Sequence, residues 1–511
     1  MRRPNRRPNY TETEDITNWE IPPDYIVYKD GADTIAVNGD TGVEDSRNTD
    51  SAIVIQYALD NGDNIFVKEG RYDIATELTR TANGLNLIGV PKLTRFRLTD
   101  DLDQILKIYG TGLAAGMIQY SNVKDITFQQ INTRPYDGVG IQAEYITQLM
   151  INHCRFEYMT EQAILIKTVY CAKILDNDFL DCGDESGGGA ADLATIDFTA
   201  MEDDAAHKST IPYIVRNLFE YNRYRDISND DTHVSRARIL HNWTEAKEGK
   251  PTDSFIYWKG SGALIDGNVI HGDQNQTGIY CDGLKTIVSN NGVENLTYGI
   301  DAASGFTIVA NNRITACLTR GINGGNGHHS NNIITGIGDA DVDFANGIRI
   351  TEGATVIGNY IGDGIANSAI RQIYSIADGN VVMGNTLIST AAVNTDRGIH
   401  FPNGSDDNLA IGNLLSGTFG NVVTNGGTGN TIKHNKGWVT ENGGTATILN
   451  TGTDIVVTHG LDDTPTVINV TGQHAEVLDL HVGTIGAANF TITTVGAVSA
   501  DRAIFWEAKV R

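Results

Sequence analysis

The sequence contains no apolar run approaching the length of a membrane span, and its opening, MRRPNRRPNYTETED, lacks the apolar core of a signal peptide. No membrane insertion and no signal-peptide export are therefore expected. Cysteine is scarce and odd in number: Cys154, Cys171, Cys182, Cys281 and Cys317, with no CxxC pair. A disulfide framework or zinc knuckle is not expected from that pattern, and Cys281, two residues past an inward-facing Ile, reads as buried packing. Positive charge is also short, with 38 Lys and Arg against 63 Asp and Glu, a formal net charge of −25. Phosphate binding needs clustered cations, so nucleic acid is not the expected partner of this acidic surface. Proline is rare at 10 residues while glycine reaches 56 without a three-residue period, which excludes collagen and points to frequent turns.

What is abundant is repetition. The pattern apolar-x-x-Asn-x-apolar returns in LMINHCRF, KILDNDFL, YIVRNLFE, RILHNWTE, LIDGNVIH and on to TIKHNKGW. The Asn positions are 152, 177, 217, 242, 268, 291, 312, 332, 359, 385, 413 and 435, spaced by 20 to 28 residues with one interval of 40. Each repeat holds two or three short alternating segments broken by Gly, Asn and Asp, the pattern of strands and turns. One such unit cannot bury its apolar face alone, whereas stacked units share a continuous core. The expected architecture is a parallel β-solenoid. Asn at each corner tolerates a left-handed backbone and can bond to its equivalent one coil away, so these Asn are structural.

The order of Asn corner, variable loop and Gly-rich turn resembles the right-handed parallel β-helix of the pectate-lyase-like superfamily, over roughly residues 85–440. Upstream, RNTDSAIVIQYALDNGDNIFVKEGRYDI resembles that superfamily's entrance, an N-terminal capping helix followed by the first strands, within 26–84. Thr49 or Asp50 is placed to cap this helix, and Ile53, Ile55 and Leu59 form its apolar stripe. Residues 441–511 lose the Asn corner and carry six strand-like runs, expected as a small β-sandwich-like domain with a thin core. The run DIVVTHGLDDTPTVINVTG with FTITTV and IFWEAKV is similar to C-terminal modules of viral tailspikes and tail fibres. That resemblance implies a homotrimer on a virion, synthesised in a host cytoplasm and recognising a host-surface glycan or receptor. Residues 1–25, with RRPN written twice, are then an arm docking to virion tail or capsid proteins, or else a plain disordered terminus.

The solenoid register also maps the surface. After each corner comes a short strand such as VGIQAE, DSFIYWK, TGIYCD, YGIDAA, NGIRIT, SAIRQI or RGIHFP. With the Ile inward, the next residue points out, and equivalents stack about 4.8 Å apart. This column reads Gln142, Leu165, Asp197, Ser228, Tyr257, Tyr280, Asp301, Asn323, Arg349, Arg371, His400. Two residues on it adds Glu144, Lys167, Asp230, Lys259 and Asp282, an acidic and aromatic stretch followed by a basic one. Tyrosines beside charged groups suit a carbohydrate groove, which nominates Tyr257, Tyr280, Arg349, Arg371 and His400 as glycan-binding. A mixed solvated strand face is the competing reading. The long interval before Asn217 holds a Gly-rich acidic loop with Asp184, Glu185, Glu202, Asp203 and Asp204, either a flap or cation site or merely a solvated loop.

Glycosidic cleavage needs two carboxylates across the bond, ~5 Å apart for retention and ~6.5–9.5 Å for inversion. Strand geometry puts Asp282 and Asp301 roughly 8 Å apart, and Asp230 and Asp282 roughly 10 Å. These three are the catalytic candidates of a polysaccharide depolymerase, hydrolase or lyase, either virion-borne or free and secreted. The polygalacturonases of the superfamily use Asp-Asp, Gly-His-Gly and Arg-Ile-Lys. NDDTH (Asp230, Asp231), NGHHS (His328, His329) and GIRIT (Arg349, Ile350) are similar in order but depart from them: Ser replaces the last Gly and Thr the Lys. YGIDAASG is similar to an alginate-epimerase motif but lacks its Pro and His. No cofactor is implied, although a calcium-assisted lyase through Asp226, Asp230 and Arg349 stays open.

Overall fold

The computed structural model describes residues 22–112, 116–183, 193–199, 209–246, 253–302, 306–338, 345–362, 370–390, 396–477 and 479–510. Most of the arm expected over 1–25 lies outside them, as do Asp184, Glu185, Glu202, Asp203 and Asp204.

A coil contributes one strand to each of three parallel sheets. In the coil built from LIDGNVIHGDQNQTGIYCDG, Leu264–Asp266 joins sheet one, Val269–His271 joins sheet two and Thr277–Cys281 joins sheet three. Each pairs in parallel with the equivalent strand of the coil before and after, as Ile239, Ile265 and Val288 do on sheet one. Sheets two and three merge where Gly292–Ala302 and Arg313–Gly324 run through both. The chain is a parallel β-helix, whose interior is filled by stacked identical or near-identical side chains. On sheet two Phe96, Phe128, Phe156, Phe179 and Phe219 form a column with ring centroids 4.8–5.7 Å apart, edge-to-face between Phe96 and Phe128 and stacked from Phe128 onward, until Thr244 takes the next place. All five cysteines are free, and Cys281 is buried.

The Asn corners form a ladder between sheets one and two, running from Asn177 through Asn217, Asn242, Asn268, Asn291, Asn312, Asn332, Asn359, Asn385 and Asn413 to Asn435. Asn152 is not a rung. Cys154 occupies that position and donates its backbone N–H to Asn177 Oδ1 at 2.9 Å. The left-handed residue is also not the ladder Asn itself but the one before it: Asp176, His241, Asn290 and Asn311 have φ of 55–58°. Four of these sites are Gly (267, 358, 384, 412), with φ of 63–66°. A Cβ on Gly267 would stand 2.3 Å from the His241 ring, so conformation and space both demand glycine there. A second, shorter ladder, Asn380–Asn408–Asn430, closes the corner after sheet three.

At the entrance, helix Ser51–Asn61 is capped by Asp50, whose carboxylate accepts from Ala52 N–H at 2.9 Å. Its inner face is Ala52, Ile55, Ala58 and Leu59 with Val54, while Ile53 is exposed. The i, i+3, i+4 spacing from Ala52 turns Ile53 outward. Tyr25–Asp30 pairs in parallel with Asn64–Val67 and antiparallel with Asp33–Asn38, which covers the edge of the first coil. The C-terminal part is a sandwich of two three-stranded antiparallel sheets around Ile448, Val457, Phe490, Ile492 and Ile504. No helix among the described residues is long and apolar enough to cross a membrane.

Candidate functional site

Sheet three carries the outward column in the order Gln142, Leu165, Asp197, Ser228, Tyr257, Tyr280, Asp301, Asn323, Arg349, Tyr374, His400. One place departs from the expected column. In SAIRQIYS both Ile370 and Ile373 are buried, but Ile373 aligns with Ile348 and Ile399, so Tyr374 follows Arg349. Arg371 falls three residues earlier, in a second column with Tyr298, Arg320, Asn346 and Arg397.

The acidic and aromatic part centres on Tyr257 and Tyr280, whose rings stack at 4.6 Å and 8° on adjacent coils. The Arg225 guanidinium lies 3.5 Å from the Tyr257 ring centre and pairs with Asp253; its Nη1 is 3.4 Å from Asp230 Oδ2. Lys259 Nζ donates to Asp230 Oδ1 at 2.8 Å, as expected of neighbours in the column two residues on. Partial burial pushes the Asp230 carboxyl up, but Lys259 and then Arg225 outweigh it and hold Asp230 below its ordinary value. Asp197 is the opposite case. Burial, partly offset by a hydrogen bond from Gln162, pushes it up to about 6, and the Asp230 charge adds to the rise. Tyr280 is pushed up to about 12 by burial and then by the Asp282 charge, with Tyr257 and Asp301 contributing. Gln162 also borders a cavity of about 450 Å³ on this face, lined by Asp103, Lys107, Gln142, Leu165 and Lys167 among others.

Beyond Asp301 the face changes sign. Asn323 links the two parts, donating to Asp301 at 2.9 Å and accepting from Arg349 Nη1 at 2.9 Å. The Arg371 guanidinium lies 4.4 Å from the Tyr374 ring centre, and Tyr374 meets His400 at 5.1 Å. Burial, then Arg397 and Arg371, push His400 down to about 4, so it is neutral at physiological pH.

All eight residues nominated from the sequence thus lie along sheet three, divided between an acidic and a basic part. Asp230 is engaged by two cations, whereas Asp197, Arg225 and Tyr374 were not singled out. Asp197 and Arg225 stand in ATIDF and YRDIS, one residue after and two before an inward Ile, which is the signal that locates them. The polygalacturonase-like residues do not converge: His329 is fully buried on sheet one, between Val309 and Val356. Asp226 is buried too, pushed up to about 8 by desolvation against a 2.8 Å hydrogen bond from Asn222. Arg349 is five coils from Asp230, roughly 24 Å at the strand spacing. Among the described residues no group of three His, Cys, Asp or Glu side chains is placed to hold a metal.

No family model matches the sequence. No curated protein matches it. Among solved structures, a tailspike protein mutant of E. coli bacteriophage HK620 in complex with pentasaccharide is 11% identical at a TM-score of 0.49, over 91% of this chain and 90% of that one. The A-module of the mannuronan C-5 epimerase AlgE6 of Azotobacter vinelandii is 16% identical at 0.37, over 75% and 94%. DFA-IIIase from Arthrobacter chlorophenolicus A6 is 14% identical at 0.39, over 66% and 89%.

Proposed function

We propose that the protein is a virion attachment protein of tailspike or tail-fibre type, with the outer face of sheet three as its glycan groove. The observation that carries the groove is the Tyr257–Tyr280 stack, flanked by Arg225, Lys259 and Asp230 on the face that also holds the 450 Å³ cavity. Aromatic faces take sugar rings, and the charged groups beside them take hydroxyls. In this reading residues 1–25 dock to the particle, and the C-terminal module trimerises or touches the host. Leu449, Val456, Ile485, Val495 and Phe505 are exposed apolar side chains on that module, which supports association. A stable monomer in light scattering would count against the trimer. For the groove, Tyr257→Ala with Tyr280→Ala is expected to weaken binding to host-surface polysaccharide at least about tenfold, since each lost ring contact costs ~0.5–1.5 kcal/mol beyond its buried area. Unchanged binding with an unchanged melting temperature would remove the site.

A second reading, a polysaccharide depolymerase, is favoured by the divergence of Asp197 and Asp230. Neighbouring carboxyls whose environments push them apart are suited to act as acid and base. One coil and two residues separate them, roughly 8 Å from strand geometry and within the inverting range. Asp197 would donate its proton to the glycosidic oxygen as that bond breaks. Asp230 would take a proton from the water that attacks the anomeric carbon. The acid works only while protonated, so release of reducing ends is expected to fall as pH rises through about 6 and to vanish in Asp197→Asn. No reducing ends from any host polysaccharide, or full activity in that variant, would exclude the pair.

A further inference from the structure

In a chain of formal net charge −25, four arginines occupy successive coils of sheet three. Arg320, Arg371 and Arg397 share one column, and Arg349 stands in the adjoining one on the coil of Asn346. All four are half-buried. The run covers roughly 14 Å at the strand spacing. Arg320 and Arg349 form no ion pair among the described residues. The Arg320 guanidinium lies 5.4 Å from the Tyr298 ring centre, and its buried Nε has no hydrogen-bond partner. Arg349 donates to the neutral amide of Asn323. Half-burying guanidinium groups side by side costs solvation and repulsion, and burial, with Arg320 next in effect, lowers the Arg349 pKa. An arriving anion would offset both costs.

We propose that this arginine run binds the acidic groups, carboxylate or sulfate, of a negatively charged glycan. The planar guanidinium fork matches either oxyanion through two parallel hydrogen bonds. Tyr298 supplies a ring face at the start of the run, beside Arg320, and Tyr374 one within it, on the coil of Arg371, while neutral His400 adds no charge. Nucleic acid binding needs a broad array of cations against closely spaced phosphates, whereas this run is four arginines in a chain of formal net charge −25, which favours a saccharide. The proposal rests on the glycan-groove reading of sheet three and assigns the chemistry of one end of it.

The test is titration calorimetry with oligouronates, their carboxyl-reduced neutral counterparts and sulfated oligosaccharides, at low and high salt. The acidic or the sulfated probes are expected to bind at least tenfold more tightly than the neutral ones, with the gap closing at high salt. Arg320→Gln with Arg349→Gln should lose that tenfold advantage without lowering the melting temperature, and a variant that keeps the advantage overturns the proposal. Preference for sulfated over carboxylated probes would identify the source of the charge. Equal binding of acidic and neutral probes overturns the proposal and leaves the groove standing. Binding of no saccharide by the unaltered protein overturns both.

Discussion

Replacing Asn268 by alanine is expected to destabilise the protein by about 3–6 kcal/mol, although the residue touches no surface and no ligand. Asn268 is fully buried in the middle of the ladder. Its Oδ1 accepts from the backbone N–H of Asn242 at 3.0 Å and from Asn242 Nδ2 at 2.9 Å. Its Nδ2 donates to Ile239 O at 2.9 Å and to Asn291 Oδ1 at 3.0 Å. Alanine leaves the Asn242 N–H, one Asn242 amide proton and the Ile239 carbonyl buried without these partners. Each stranded group costs ~1–3 kcal/mol because no water reaches it. Asn152→Ala is the control. That side chain meets only His153 Nδ1, at 3.4 Å, and its Oδ1 is buried without a partner. Its removal should therefore be neutral or slightly stabilising. Chemical denaturation of both variants checks the pair, and equal losses would show that the ladder is not what holds the corner.

Asp226→Asn is expected to stabilise the protein by on the order of 5 kcal/mol at pH 8 and to change little at pH 4. Burial pushes the folded-state carboxyl up to about 8, against ~3.9 for an unfolded Asp. Below pH 4 both states hold the proton and burial of the neutral acid carries no linkage penalty. As pH rises from 4 to 8 the unfolded chain releases the proton while the folded chain retains it, so stability falls with pH. Asparagine keeps the shape and the oxygen that accepts from Asn222 Nδ2 at 2.8 Å, and it has no charge to desolvate. Melting temperatures at pH 4, 6 and 8 should show a gap that widens upward. A gap independent of pH would mean that Asp226 is ionised in the folded protein.

The repeat was legible because a parallel solenoid forces equivalent residues into equivalent surroundings, so the Asn corners and inward Ile recur at coil spacing. The entrance helix was legible through a Thr49 or Asp50 cap, a place Asp50 takes, and through Ile55 and Leu59, although Ile53 of the expected stripe is exposed; the sandwich was legible through its six alternating runs. Local pattern failed where two residues competed for one place. Asn152 carries the motif, yet Cys154 makes the rung; Ile370 and Ile373 are both apolar, and only pairing with Ile348 decides that Tyr374 faces the groove. Asp197 lay in the sequence column from the start, but nothing in ATIDF tells that this carboxyl is desolvated beside Gln162.

The sequence by itself determined the parallel β-helix, its corners and the face where tyrosines, carboxylates and arginines line up, because periodicity is a one-dimensional property. Only the tertiary structure decided which carboxylates keep a proton and which are held by Lys259 or Arg225. It also decided which guanidinium groups stand together on successive coils. Those outcomes depend on distances and solvent exclusion between residues from different coils, which no single repeat contains.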